Sequence, residues 1–519
     1  MRTRIKRNKT QQSQAPTKAS HMAQKEWFSS PILLTLIIAF FTITLFSYSS
    51  PLYPFNIWVD PNCFFTVGKS ILDGIVPYRD LYEQKGPLLY FLHTVAALIS
   101  YRSFIGVYFM EIIAAWAFLH ISYKTISLFN NSKYRLFYVF TLSVITYSSQ
   151  CFVYGDSAEE FCLPFIAYAL YLGFKTIKQL VPITTSQAII LGITASCIFW
   201  IKFSFTGFYI GWIVYLVYFY VKNKWSKKIV PTFLYAIIGL IIPTIPIFIY
   251  FISNNALDAL FQTYFYDNTT LYGSTSPSLT TTIGIILKNI STSFINNPLL
   301  WILILCSLIY ASRKVRVFLA STLLITIVFI FFRTTHLYLP FILTAFTPLG
   351  VIVFDSLIKH TRPIIHHSFI ILLILGCTFY SCYDSFIFSP KEELPHHKFD
   401  QIIKQESKPT LLNYGFLDGG FFTYSGLTPS NRFFCKLNLN NPQIMAEQDS
   451  IANNGLATFI VTQRYANSRE KRSFDKYTKV AECVIKKTSC SRVTGAMGAK
   501  VSAVTPVTIF SAEAHATAS

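Results

Sequence analysis

The sequence predicts an α-helical polytopic membrane protein with a small C-terminal extracytoplasmic α/β domain. Three observations carry that prediction. The 519 residues are 52% hydrophobic and only 13% charged, more apolar than a typical soluble domain. Apolar runs near the ~20 residues that a spanning helix needs recur along the chain. Lys and Arg fall in the short connections between those runs, the positive-inside pattern of cytoplasmic loops. The formal charge of +20 therefore reports topology: the bases do not gather into one face, and no nucleic-acid partner is expected.

Taken in order, residues 1–30 open with Arg2, Arg4, Lys6, Arg7 and Lys9 and read as a basic cytoplasmic tail. A transmembrane domain covers 31–388. Its apolar runs lie at 32–48, 104–128, 136–153, 160–176, 186–201, 204–221, 229–252, 298–311, 317–332, 337–356 and 367–387, about eleven spans. The connections 131–135, 175–178, 221–228, 312–316 and 359–362 all carry bases. They share the inner side if 87–100, at ~14 residues, lies on the outer interface instead of crossing. Pro87 suits the first turn of that short helix. The N-terminus is then inside and the C-terminus outside a plasma (inner) membrane, and 49–103 forms a first outer loop with juxtamembrane helices. The longest mid-chain outer loop is 253–297.

Beyond 388 hydrophobicity falls. The stretches 410–415 and 457–462 read as strands with a helix over 442–451, giving an extracytoplasmic α/β domain over 389–490. From 491 to 519 the composition shifts to Ala, Val, Thr, Ser and Gly, which predicts a disordered tail unrelated to the fold. Of the ten cysteines, six sit in apolar segments as small core residues. Cys63, Cys435, Cys483 and Cys490 fall in outer regions. A local Cys483–Cys490 disulfide fits, but spacing alone does not fix pairing.

This topology sends polar groups from five connections to the outer side: Asp60 to Lys85, Asp156 with Glu159 and Glu160, Lys202, the 253–297 loop, and Arg333 with His336. Charged residues beside a membrane are costly unless they serve a site. Each also has a plainer reading. Asp60 before Pro61 fits a helix cap or an Asx-turn, and Lys85 or Lys202 fits a snorkelling lysine. Arg79 and Asp80 fit a local pair, and the acids at 156–160 fit a helix N-terminus.

The order Asp60, then Gly74-Ile75-Val76-Pro77-Tyr78-Arg79-Asp80, then Glu83-Gln84-Lys85-Gly86-Pro87 resembles the first outer loop of the GT-C superfamily. Those membrane glycosyltransferases use polyprenyl-phosphate sugars. The resemblance is strongest to the protein mannosyltransferase and aminoarabinose transferase type, glycosyltransferase family 39. Asp60-Pro61 stands where many relatives have Asp-Glu, which weakens a paired-acid or metal site there. The resemblance implies a GT-C fold and an inverting transfer of one sugar from a polyprenyl phosphate to an acceptor hydroxyl at the outer face. The acceptor would be a glycan, a lipid or a protein.

It makes Asp60 the base that takes the acceptor proton. Lys85, Arg79, Lys202, Arg333 and His336 are then candidates for the donor phosphate, and Asp80, Glu83, Asp156 and Glu159 for acceptor or sugar. Single displacement requires no second carboxylate of the kind that glycoside hydrolysis uses. No cofactor is required, and a divalent cation shared with Asp60 stays open. Two other readings share the multi-span plan. An O-antigen-type polymerase or ligase would place bases in the mid-chain loop, which has only Lys288. A transporter or flippase of lipid-linked sugars would place charges at mid-membrane.

Overall fold

The computed structural model describes residues 30–271, 279–332, 336–355, 368, 387–463, 476–485 and 505–512. Its helices begin with α1 (Pro31–Phe46), α2 (Val59–Leu72), α3 (Pro87–Ile99), α4 (Ile105–Phe129), α5 (Arg135–Tyr147) and α6 (Ala158–Gln179). There follow α7 (Thr185–Lys202), α8 (Gly207–Lys222), α9 (Ser226–Ser253), α10 (Leu279–Asn296), α11 (Pro298–Tyr310) and α12 (Arg313–Phe331). Pro87 does open α3, where its missing N–H costs nothing. Ser157 caps α6 by accepting from the Glu160 amide, and Thr184 with Gln187 forms a capping box on α7.

Among the described residues, five helical stretches are long and apolar enough to cross a membrane, or six when the bent pair α10–α11 counts as one. The stretch Thr185–Lys222 is 38 residues long, about 57 Å if straight and far beyond a ~30 Å hydrocarbon core. Contacts show that it folds back on itself. The Ile183 amide donates to Tyr220 Oη at 2.9 Å, and Thr194 Oγ1 lies 3.5 Å from Tyr209 Oη. α7 and α8 are thus an antiparallel pair joined by the turn Phe203–Thr206, and Lys202 sits at the bend.

The structure adds to or departs from the expected spans in three places. Residues 60–72, inside the expected first outer loop with juxtamembrane helices, form most of α2; a proline in a first turn is tolerated, and Asp60 there faces the positive end of the helix dipole. Much of 253–297 is helical, and α10 meets α11 at 105°. The stretch 337–356 crosses the molecule as 3-10 turns, Leu339–Phe346 and Gly350–Ile352, instead of one α-helix. Its lower end is marked by Tyr138 Oη donating to Asp355 Oδ1 at 2.7 Å. At ~2.0 Å per residue, a 3-10 path covers more distance than an α-helix of equal length. Burial within protein lets such irregular backbone sit at membrane depth. The span expected at 367–387 lies outside the described residues, apart from 387.

The C-terminal region folds as a four-stranded sheet in the order β1-β2-β4-β3. Its strands are β1 (Leu411–Tyr414), β2 (Phe459–Gln463), β3 (Tyr477–Ile485) and β4 (Thr505–Ala512). β1 and β2 are parallel, and helices fill the crossover between them. β4 pairs antiparallel with both β2 and β3. The tail expected to be disordered therefore supplies an inner strand. Its composition hid a β-branched run around Val507, Thr508 and Ile509. The Cys483–Cys490 pairing lies outside what the structure describes.

Basic connections meet at one end of the helices. Lys178 Nζ donates to Leu128 O, and Tyr215 Oη donates to Lys314 O at 2.7 Å. The opposite end carries α2, the start of α6 and the α7–α8 bend.

Candidate active site

At that opposite end a cavity of about 230 Å³ is lined by Lys85, Lys202, His336 and Tyr338, with Phe203, Phe205, Phe329, Ile330 and Phe332 as apolar wall. The backbone sets the two lysines side by side. The Gly86 amide donates to Ile201 O at 3.1 Å, and a Cβ on Gly86 would lie 2.0 Å from Trp200 O. Only glycine lets the start of α3 abut the end of α7 this closely. Tyr78 Oη donates to Lys85 O at 2.6 Å, and the Lys85 ammonium lies 5.0 Å from the Phe64 ring centre.

Lys202 Nζ lies 2.5 Å from Glu159 Oε1 and over the rings of Phe205 and Tyr338. Glu159 is 1% exposed and Lys202 is 18% exposed, so the cation is the member of the pair that reaches the cavity. A lysine has three donors, and the carboxylate occupies one. Tyr338 also packs on Trp58 at 5.5 Å and stacks on His336 at 5.2 Å. Burial lowers the His336 pKa, and Lys202 and Lys85 push the same way, against Asp60 and Glu159. Asp60, half-buried in the first turn of α2, is therefore within electrostatic reach of the ring that borders the cavity.

The mid-chain segment closes the cavity. Asn268 Nδ2 donates to Gln84 O at 2.6 Å, and Tyr82 Oη donates to Asp267 Oδ2 at 2.7 Å. Buried Tyr264, in the π-turn Phe261–Asp267, donates to Phe199 O at 2.5 Å and lines the cavity.

Lys85, Lys202 and His336 line the cavity and Glu159 pairs with Lys202, while Asp60 stands on α2 within electrostatic reach of His336; four other candidates are held elsewhere. Arg79 and Asp80 pair bidentately at 2.7 Å, and Arg79 Nη1 also donates to Asn254 O. That fork lowers the Asp80 pKa and fixes the surface turn instead of meeting the cavity. Glu83 is buried and accepts from the Lys85 amide at 2.8 Å and from Tyr90 Oη. Asp156 is fully buried against His93 Nε2 at 3.0 Å. Its amide donates to Glu111 Oε1 at 2.8 Å and Glu160 Oε2 at 2.9 Å, and Ser47 Oγ donates to Glu111 Oε2 at 2.8 Å. Arg333 lies outside the described residues.

Glu159 is paired with Lys202 and Asp156 with His93, and among the described residues no three His, Cys, Asp or Glu are grouped to hold a metal ion. The described residues do not group into a cation site with Asp60. Sequence reasoning missed Tyr338, Trp58 and the His93 network. Tyr338 had a signal in its place two residues after His336; His93 had none, since a lone histidine on an apolar helix reads as core.

No family model and no curated protein sequence matches the chain. Solved structures do. ArnT from Cupriavidus metallidurans, solved bound to undecaprenyl phosphate, aligns with TM-score 0.51 at 10% identity over 85% of this chain and 93% of its own. Archaeal oligosaccharyltransferase AglB from Archaeoglobus fulgidus, solved with an inhibitory peptide and a dolichol phosphate, aligns with TM-score 0.43 at 9% identity over 85% and 70%. With its long apolar helices and this architecture, the chain shares the fold of the ArnT structure.

Proposed function

We propose that this chain is an inverting glycosyltransferase that moves a sugar from a polyprenyl-phosphate donor to an acceptor hydroxyl at the outer face of a plasma membrane. The convergence of Lys85 and Lys202 on one apolar-walled cavity, with Asp60 nearby, carries the reading. The lysines hold the phosphate while the aromatic wall takes the first prenyl units. Asp60 accepts the proton of the acceptor hydroxyl, whose oxygen attacks the anomeric carbon as the bond to phosphate breaks. The charge left on the phosphate is stabilised where the two ammonium groups already stand. The basic connections at the far end support an N-terminus and inner loops in the cytoplasm and a C-terminal domain outside. Resemblance in the first outer loop favours the family 39 type.

The test is transfer from a panel of radiolabelled polyprenyl-phosphate sugars by wild type, Asp60→Asn and Lys85→Ala. Turnover by wild type with loss in both variants is expected. An Asp60→Asn protein transferring at full rate removes the base assignment. Charges gathered at one end, with only Lys288 as a base in 253–297, give no support to a carrier or a polymerase.

A further inference from the structure

Helix α2 carries Asp60 near one end and docks along its length on the C-terminal region. Thr66 Oγ1 donates to Asp418 Oδ2 at 2.6 Å, and Lys69 Nζ donates to Phe422 O at 2.6 Å. Cys63, Thr66 and Lys69 recur every three residues and so share one helix face. On that face, one turn from Asp60, Cys63 Sγ lies 3.9 Å from Cys435 Sγ, and both residues are 1% exposed.

We propose that Cys63 and Cys435 form a disulfide that ties the Asp60-bearing helix to the C-terminal domain. A bond needs ~2.05 Å between sulfurs, within reach of side-chain rotation from facing thiols. The two cysteines are 372 positions apart, so the crosslink closes almost the whole membrane domain into a loop. Cys151, Cys162, Cys197 and Cys306 lie on or beside apolar helices, whereas Cys63 and Cys435 lie in the outer layer, where disulfides persist. In forming, each thiol gives up a proton, and the two electrons pass by thiol–disulfide exchange to the disulfide of an outer-face oxidoreductase, which leaves as a dithiol. Burial pushes both thiols to high pKa once the surfaces meet. The bond therefore forms before docking is complete and is afterwards shielded from soluble reductants. It would hold Asp60 over the cavity while leaving the polyprenyl wall untouched.

The experiment uses the full chain in bacterial membranes, denatured with N-ethylmaleimide present and no reductant. It is then reduced and labelled with heavy N-ethylmaleimide for peptide mass spectrometry. Cys63 and Cys435 should carry only the heavy label, while Cys162 and Cys197 carry the light one. In Cys435→Ser, Cys63 should switch to the light label. Reductant added during unfolding should lower the melting temperature of wild type by ~5 °C and leave Cys63→Ser/Cys435→Ser unmoved. Light label on both residues of wild type, or a heavy Cys63 in Cys435→Ser, overturns the proposal. Neither readout involves sugar transfer, so failure here is separate from failure of the proposed activity.

Discussion

Asp156, Glu159 and Glu160 are neighbours in sequence, yet the fold sends them to two unlike places. Asp156 and Glu160 turn inward to a sealed network with His93, Glu111 and Ser47, every member buried. Glu159 turns to Lys202 at the cavity, where the cation keeps 18% of its side-chain surface. The sealed network has its capacity turned on itself and locks the ends of α1, α3, α4 and α6 together. The open pair keeps donors to spare. In an apolar protein a charge is costly either way; what separates a lock from a site is whether one partner still reaches solvent or ligand.

The largest expected effect lies on the open side. Asp60→Asn should lower transfer by ~10²–10⁴-fold, the usual span for losing a positioned base, with an unchanged melt. A wild-type rate would erase the contrast between site and lock. On the sealed side, His93→Leu leaves Asp156 without its partner and should cost on the order of 3 kcal/mol of stability, read in a denaturant melt. Transfer per folded molecule should hold; lost transfer with intact stability would make the network part of the site.

Lys202→Met/Glu159→Gln removes both members of the open pair, so little stability should change. Donor affinity should fall by ~10–100-fold, as expected for a charged hydrogen bond of about 1.5–3 kcal/mol, measured by titration with polyprenyl phosphate. Unchanged affinity would place the phosphate elsewhere.

The smallest effect concerns Lys69, a third kind of buried charge. Its pKa is lowered to about 7, chiefly by burial, against the attraction of Asp418. Between about pH 7 and the ordinary lysine value of 10.5 the unfolded chain holds this proton and the folded one does not, so stability rises with pH there. Wild type should gain more in melting temperature than Lys69→Met between pH 7 and 9.5; parallel curves would show that Lys69 is not the titrating group.

Much of this was legible beforehand. The apolar runs marked α4, α6, α7, α8 and α9, and Lys85-Gly86-Pro87 marked the start of α3, because burial and proline act locally. Lys85 was singled out by the resemblance of its loop, and Lys202 by its place between two apolar runs, where a snorkelling lysine would read the same way. What stayed hidden depends on distant partners. Asp156 was expected at the site, but His93, 63 positions away, claims it, and Glu83 is claimed by Tyr90 in the first turn of α3 once the loop folds back. The 3-10 path at 339–355 is chosen by its neighbours, since its apolar residues suit an α-helix equally well.

The contact between Gly86 and the Trp200–Ile201 backbone makes the gap between Lys85 and Lys202 a ruler cut in main chain. No side chain lies between the two segments, so changes in the surrounding core cannot easily lengthen or shorten it. The aromatic walls have no such tether. If the two lysines hold a donor phosphate as proposed, that grip would stay constant over many generations while Phe203, Phe205, Phe329 and Phe332 drift, and descendants of this chain could change tails without relearning the phosphate.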